Sequence, residues 1–387
     1  MLSDSYIRFC VSRVSSIAIL TIWLILFPFA CSEDSDAINA EATGAVASEV
    51  GSVRFLNDRP GNSTWSADSS SLFFVETIKD SQEAEIRRFD LSTNEFSSLY
   101  KGAKVGLLAL NDNNEIFAPT FIGSGNSFCL VTPDGTDCYH FKELDIVNSP
   151  TWLTGSEKVI FSGCGRQGLG VFLWNRSSNA LERITPISSE SHQLNDGYHY
   201  TYQSFAPSFF AQRVIFGYAE VKVNNQKSNI TFHLGATDLK TGKCWKITDL
   251  ANFKDLLRWY SSETEDAVYF FKWNDSGLLD SLWRVKSDGM SMSKVLDGTV
   301  IGKADIDSCV SWSNGGNKFL ISYYDYDEKR WRSNAVETKT GEVRNLDLGV
   351  STNQAALSPN GNKLAYIDQK ELYVLDLTND SKRRIFP

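Results

Sequence analysis

Histidine and cysteine, which supply most metal ligands and many catalytic nucleophiles, are scarce in this sequence. The 387 residues include four histidines and seven cysteines, and no Cys-x-x-Cys pair is present. A structural zinc site is therefore not expected. The sequence also lacks the Gly-x-Ser-x-Gly turn of many serine hydrolases and a glycine-rich phosphate-binding loop, so neither enzyme class is expected.

Clusters of lysine and arginine are missing as well. The formal net charge is −9 and the pI about 5.1. Because attraction to the phosphate backbone dominates nucleic-acid binding, DNA and RNA are not expected as partners.

Helical periodicity is absent after residue 50, and a repeated strand pattern takes its place. Each unit has an apolar strand start, a second apolar run about seven residues later, and a hairpin with a Gly, Asn or Asp tip. The spacing of roughly 40 to 60 residues is expected of four-stranded propeller blades. The sequence predicts one all-β domain, a seven-bladed β-propeller, with six blades as the alternative. The units start near residues 65, 109, 152, 209, 259, 312 and 357.

The start of the predicted domain is similar to its last strands. Residues 54–56 (RFL) are similar to the predicted fourth strands at 183–185 (RIT) and 384–386 (RIF). We therefore expect this segment to join the last blade, where it would close the ring by strand exchange.

The N-terminal segment has the features of an export signal. Arg8 and Arg13 precede an apolar run at residues 17–29, and Ala30 follows it. A membrane-spanning helix would need about 20 apolar residues, more than this run provides. Residues 1–30 are therefore predicted to be a signal peptide.

The end of this segment resembles a bacterial lipobox. Ala30, Cys31 and Ser32 carry the resemblance, which implies that Cys31 is lipidated and becomes the N-terminus. Pro28 and Phe29 depart from the usual pattern, so ordinary cleavage after Ala30 is the alternative. A serine after the lipidated cysteine resembles the sorting preference for the outer membrane.

The predicted mature protein has a flexible acidic tether at residues 31–50 and the propeller at residues 51–387. Its predicted location is the periplasmic side of the bacterial outer membrane. Cys129 and Cys138 would face each other across the turn at residues 133–134. A cross-strand disulfide is possible there in an oxidising compartment, and two reduced cysteines are the alternative.

Two segments resemble the "WSPDG" repeat of TolB-like propellers. They are residues 64–74 (TWSADSSSLFF) and 356–366 (ALSPNGNKLAY), and residues 312–316 (WSNGG) are a weaker copy. The resemblance implies a periplasmic or membrane-anchored propeller that often acts as a protein-interaction scaffold. The same repeat occurs in prolyl peptidase propellers and some sugar-acid lyases, so it implies no substrate.

One long insertion between the third and fourth units contains two of the histidines. Nitrogen and oxygen atoms of His192, Asp196 and His199 are candidate ligands for Mn²⁺ or Zn²⁺. The resemblance to propeller lyases that act on pectin fragments, which use histidines on such a face, points the same way. The alternative is a solvated loop, and no other cofactor is expected.

A second candidate site is the tip of a hairpin in the sixth unit. It comprises Tyr323, Tyr324, Asp325, Tyr326 and Asp327. Aromatic rings beside carboxylates can stack on sugars or bind Ca²⁺, and an exposed turn is the alternative. A third segment, residues 220–229, is polar and is expected to be a long hairpin loop.

These observations favour an envelope-anchored lipoprotein whose loop-bearing face binds an envelope protein or a peptidoglycan-associated partner. The membrane contact would be the lipid at Cys31 alone. The alternative function is a metal-dependent, carbohydrate-active propeller enzyme that uses His192 and His199.

Overall fold

The computed structural model describes residues 53–55 and 64–386, with gaps. The gaps are residues 78–82, 121–126, 154, 166–167, 186–197, 209–211, 225–226, 252–258, 263–264, 275, 305–308, 347, 349–354 and 369–370. The described residues form seven four-stranded antiparallel sheets, each with its strands in sequence order, so the chain is a seven-bladed β-propeller. The predicted fold class and the count of seven blades are confirmed, and the alternative count of six is wrong.

The first four blades contain 16 strands. Blade 1 contains β1 (Val53–Phe55), β2 (Ser71–Thr77), β3 (Glu83–Asp90) and β4 (Glu95–Ala103). Blade 2 contains β5 (Ala109–Leu110), β6 (Ile116–Thr120), β7 (Ser127–Thr132) and β8 (Gly135–His140). Blade 3 contains β9 (Leu144–Trp152), β10 (Lys158–Gly165), β11 (Gly168–Asn175) and β12 (Ala180–Arg183). Blade 4 contains β13 (Tyr198–Ser208), β14 (Arg213–Asn224), β15 (Lys227–Asp238) and β16 (Cys244–Leu250).

The remaining three blades follow the same plan. Blade 5 contains β17 (Tyr260–Ser261), β18 (Val268–Trp273), β19 (Leu279–Val285) and β20 (Ser293–Asp297), and a short helix, α1 (Gly298–Ile301), follows it. Blade 6 contains β21 (Cys309–Trp312), a 3₁₀ turn (Asn314–Gly316), β22 (Lys318–Asp325), β23 (Arg330–Glu337) and β24 (Val343–Leu346). Blade 7 contains β25 (Ala355–Leu357), β26 (Lys363–Asp368), β27 (Glu371–Asp376) and β28 (Lys382–Phe386).

The N-terminal strand belongs to blade 1 and not to blade 7. β1 pairs with β2, with Val53 opposite Glu76 and Phe55 opposite Phe74. The predicted strand exchange is therefore wrong. The physical reason is that β28 already fills the outer position of blade 7, so each blade is one continuous stretch of chain.

Side chains close the ring between blades 7 and 1. The indole Nε1 of Trp65 donates a 2.9 Å hydrogen bond to the carbonyl of Ala356. The ring of Phe386 lies 5.5 Å from that of Phe74 and 5.9 Å from that of Phe96, measured between centroids. Lys363 Nζ also donates to the Ser69 carbonyl at 3.2 Å. Apolar packing and side-chain hydrogen bonds thus close the ring in place of the expected strand exchange.

The serine of the repeated motif closes the turn between the first two strands of a blade. The Oγ atom of Ser66 accepts the N–H of Ser71 at 2.8 Å. The same bond joins Ser358 to Lys363 at 2.9 Å. Leu357, before Ser358, ends the innermost strand β25, and Trp65, before Ser66, forms an isolated bridge to Leu72. The prediction that these residues start a strand is therefore wrong.

Asp68 completes this turn in blade 1. Its Oδ1 accepts the Ser66 hydroxyl at 2.6 Å and the Ser70 N–H at 3.0 Å. The hydrogen bond from the Ser66 hydroxyl, followed by that from Ser70, lowers the pKa of Asp68 to about 2. In blade 7 an amide does the same, because Asn360 Oδ1 accepts the Ser358 hydroxyl at 2.8 Å.

This geometry predicts how acid acts on the turn. Because the pKa of Asp68 is lower in the folded state than its ordinary value of 3.8, its contribution to stability is present above about pH 4 and is lost as the pH falls toward 2. We expect the Asp68→Asn variant to lose less stability than the wild type between about pH 5 and pH 2.5, as measured by urea unfolding. Asn360 shows that an amide fits this turn, and equal losses in the two proteins would contradict the prediction.

Candidate functional site

The propeller has two faces with different chemistry. Because the four strands of a blade alternate in direction, the turns after the first and third strands lie at one end, here called the turn face. The hairpins between the second and third strands, and the connections from blade to blade, lie at the other end, here called the connection face. Of the segments singled out in the sequence, the blade 6 hairpin tip and the described part of residues 220–229 lie toward the connection face, as does the backbone of His199 at the start of β13.

On the turn face, carboxylate oxygens of Asp90 and Asp238 accept hydrogen bonds from backbone N–H groups of the same turn. Asp90 Oδ1 accepts the N–H groups of Ser92 and Thr93 at 2.9 and 3.1 Å. Asp238 accepts the N–H of Thr241 at 2.8 Å in the corresponding turn of blade 4. A hydrogen bond from the Ser92 hydroxyl at 2.6 Å, followed by these backbone bonds, lowers the pKa of Asp90, and the bond from the Thr241 N–H lowers that of Asp238. Such side chains hold turns together, which leaves less of their hydrogen-bonding capacity for a ligand.

On the connection face, the middle hairpin of blade 4 is unusually long. β14 and β15 each have 12 residues, whereas the second and third strands of the other blades have eight or fewer. The ladder continues as far as the pair Asn224 and Lys227. At about 3.3 Å per residue, four extra residues extend this hairpin by roughly 13 Å. The expected long loop at residues 220–229 is therefore wrong, because most of the segment is regular strand.

A buried histidine lies within this hairpin. His233 Nδ1 is 2.7 Å from Asp249 Oδ1, and its Nε2 is 3.4 Å from Glu220 Oε2 and 2.9 Å from Thr231 Oγ1. The ring of Tyr218 packs on the imidazole with 5.0 Å between centroids. The two carboxylates lie at different nitrogens of the ring, so His233 ties the second, third and fourth strands of blade 4 together.

The environment of Asp249 keeps it ionised. Burial opposes its ionisation, but hydrogen bonds from Lys246 and His233 outweigh burial and lower its pKa. Sequence reasoning missed this cluster because the residues are far apart in the chain. The register of β15 and β16, which pairs the Cα atoms of His233 and Asp249, brings them together.

The predicted metal ligands are only partly within the described residues. His192 and Asp196 lie outside them. The backbone of His199 lies in β13 opposite Val221, so residues 198–202 form strand and not loop. In the part of the chain that the structure describes, no group of three or more His, Cys, Asp or Glu side chains has a geometry suited to a metal ion. The predicted metal site stays a prediction.

The blade 6 hairpin divides the predicted aromatic and acidic patch into two layers. Tyr323 and Asp325 are buried, whereas Tyr326 in the turn is 73% exposed. The Tyr324 ring lies 5.1 Å from that of Tyr326 and 5.8 Å from that of Trp331. We call Tyr324, Tyr326 and Trp331 the blade 6 aromatic cluster. Trp331 was not singled out in the sequence because it lies on the following strand.

Charges of both signs surround this cluster. Asp325 Oδ1 accepts the N–H groups of Asp327 and Glu328 at 3.0 and 3.2 Å, and these bonds lower its pKa. Asp327 pairs with Lys303 from the connection between blades 5 and 6. Arg330 donates to Glu328 at 2.7 Å. The hairpin thus presents aromatic rings inside a mixed-charge rim.

The two cysteines of blade 2 are joined. Cys129 and Cys138 are directly opposite in the β7–β8 register and form a disulfide, with Cα atoms 4.0 Å apart. Cys138 is exposed on the outermost strand and Cys129 is buried. Cys31, the predicted lipidation site, lies outside the described residues. No helix among the described residues is long and apolar enough to cross a membrane.

Comparisons with known proteins bear on the fold. No family model and no curated protein matches the chain. A puromycin-hydrolyzing peptidase of Mycobacterium tuberculosis is similar over 86% of this chain and 54% of its own, with 10% identity and a TM-score of 0.54. The Cps50 (Swd1) β-propeller domain of Myceliophteria thermophila is similar over 87% of this chain and 97% of its own, with 12% identity and a TM-score of 0.51.

TolB from Acinetobacter baumannii is also similar in structure. The match covers 81% of this chain and 78% of TolB, with 14% identity and a TM-score of 0.44. The chain has a β-propeller fold, which it shares with the Cps50 (Swd1) domain. At these identities the matches describe the fold alone, and they assign neither a reaction nor a partner.

Proposed function

We propose that this protein is an exported, lipid-anchored binding module whose connection face binds another protein of the bacterial envelope. The observation that carries the proposal is the blade 6 aromatic cluster. Tyrosine, tryptophan and arginine are the residues most enriched among the energetic hot spots of protein interfaces. Here three tyrosines, one of them buried, a tryptophan and two arginines share one hairpin.

The cluster is organised before any partner binds. Tyr324 and Trp331 pack edge to face, and Tyr326 packs in the same way on Tyr324. A side chain already held by its neighbours loses less conformational entropy when a partner covers it. The rim of paired charges suits the polar periphery of a protein interface. A rigid hairpin of this kind supports binding rather than catalysis as the role of this surface.

Export is supported by two features. Residues 1–30 have the composition of a signal peptide. The Cys129–Cys138 disulfide suits an oxidising compartment such as the periplasm. The anchor at Cys31 and the outer-membrane location belong to the proposal. The carbohydrate-active alternative depends on His192, Asp196 and His199, and it stays a prediction.

Site-specific cross-linking in intact cells tests the proposal. We expect a photoreactive residue at position 326 to give one dominant adduct, identified by mass spectrometry as an envelope protein. Adding Trp331→Ala should reduce this adduct at least tenfold, because loss of a hot-spot side chain costs about 2 kcal/mol or more. The Cys31→Ser variant should reduce it as well, since the propeller would no longer be held at the membrane.

The matched control is position 290. Met290 is also a large exposed side chain, at 68%, but it lies on the turn face. Position 290 should not give the adduct. Identical products from positions 290 and 326, or no adduct from position 326, would refute the proposal.

A further inference from the structure

A cavity of about 350 Å³ opens on the connection face between blades 4 and 5. Its floor includes Leu250 and Phe270, which are buried members of one core cluster. Its rim includes Asp249 from blade 4, and Lys272 and Asp280 from blade 5. The volume lies within the range of about 300 to 1,000 Å³ typical of small-molecule sites.

Two contacts to its Oδ1 atom hold the carboxylate of Asp249 in place. His233 Nδ1 and Lys246 Nζ both contact its Oδ1, at 2.7 and 3.0 Å. The side chain is nevertheless 70% exposed, so its second oxygen is accessible to a ligand in the cavity. An ionised carboxylate positioned by a buried histidine is preorganised to accept hydrogen bonds from a cationic group.

A positive charge on the rim comes from Lys272 of blade 5. Lys272 Nζ lies 4.0 Å from the centre of the Trp283 ring, which packs against the core cluster that contains Leu250 and Phe270. Asp280 adds a second carboxylate to the rim, and its Oδ2 accepts the hydroxyl of Ser281 at 2.8 Å. The cavity thus combines an apolar floor with two carboxylates and one ammonium group at its rim.

We propose that this cavity binds a zwitterionic α-amino acid with an apolar side chain. The ammonium group of the ligand pairs with Asp249, and its carboxylate pairs with Lys272. Its side chain packs on Leu250 and Phe270. This site is separate from the blade 6 aromatic cluster, and the proposed protein-binding function does not require it. The two proposals therefore succeed or fail independently.

Isothermal titration of the purified protein with three related compounds tests the chemistry. We expect L-phenylalanine to bind saturably. 2-Phenylethylamine, which lacks the carboxylate, should bind at least threefold more weakly, and 3-phenylpropionate, which lacks the ammonium group, should bind at least tenfold more weakly. Absence of saturable binding by L-phenylalanine would overturn the proposal, and so would 3-phenylpropionate binding as tightly as the amino acid.

Variants locate the site, and blade 5 offers a matched control. Asp249→Asn should weaken L-phenylalanine binding at least tenfold. Asp297 is paired with Lys294 at 2.6 Å with the same i,i+3 spacing as Lys246 and Asp249, but it does not line the cavity. Asp297→Asn should leave binding unchanged, and equal effects of the two substitutions would overturn the proposal. Should Asp249→Asn fail to fold, Lys272→Met provides the second test, with an expected loss of at least threefold.

Discussion

Replacing Phe386 by alanine is expected to lower the free energy of unfolding by about 3 kcal/mol or more, the usual loss for a buried phenylalanine. Phe386 is 7% exposed and packs on Phe74 and Phe96 across the junction of blades 7 and 1. Because no strand crosses this junction, the cavity left by the missing ring weakens the contact that closes the propeller. Urea unfolding followed by tryptophan fluorescence measures the loss.

Phe96 provides the matched control for this prediction. It belongs to the same aromatic group, but it is 42% exposed, so Phe96→Ala removes less buried area. We expect a loss of about 1 kcal/mol for that variant. Equal losses for the two variants would show that the junction does not depend on the burial of Phe386.

Substitution of Gly298 by alanine is expected to cost about 3 kcal/mol, at the upper end of the usual cost of overpacking. A Cβ atom at this position would lie 2.1 Å from the carbonyl oxygen of Leu279 and 2.9 Å from the carbonyl carbon of Asp280. Both are backbone atoms, so no side chain can rotate away to make room. The start of β19 would have to move, and this movement would break the 2.8 Å bond from Leu279 N–H to the Ala304 carbonyl.

Gly242 is the control for the Gly298 substitution, because it tests the same Gly-to-Ala change without a steric clash. It has a φ of +68° and nothing within 4 Å of the Cβ position. Gly242→Ala should therefore cost only the left-handed backbone penalty of about 1 kcal/mol. Chemical denaturation of both variants compares a steric cost with a conformational one, and a smaller loss at Gly298 than at Gly242 would contradict the prediction.

The repeat was sufficient to predict the architecture from the sequence. The serine and the turn residues recur in blades 1, 6 and 7 because the same turn joins the first two strands there, as the bonds accepted by Ser66, Ser313 and Ser358 show. The blade in which residues 54–56 pair could not be predicted in this way. An apolar strand pairs equally well with either neighbouring blade, and only the position of β28 decides between them.

The candidate sites were less predictable, for a related reason. The blade 6 hairpin could be found because its aromatic residues are consecutive in the chain. The cluster of His233, Glu220 and Asp249 could not, because cross-strand register brings its members together. The cavity between blades 4 and 5 depends on packing between two sheets, which no local pattern encodes.

The pairing of β1 within blade 1 also sets an orientation. Val53 lies opposite Glu76, near the end of β2, so the chain enters the propeller from the connection face. With a lipid at Cys31, the intervening chain could extend at most about 75 Å, at roughly 3.5 Å per residue. Residue 53 and the blade 6 aromatic cluster therefore share one face of the ring, and a partner bound to that face would lie beside the chain that leads to residue 53.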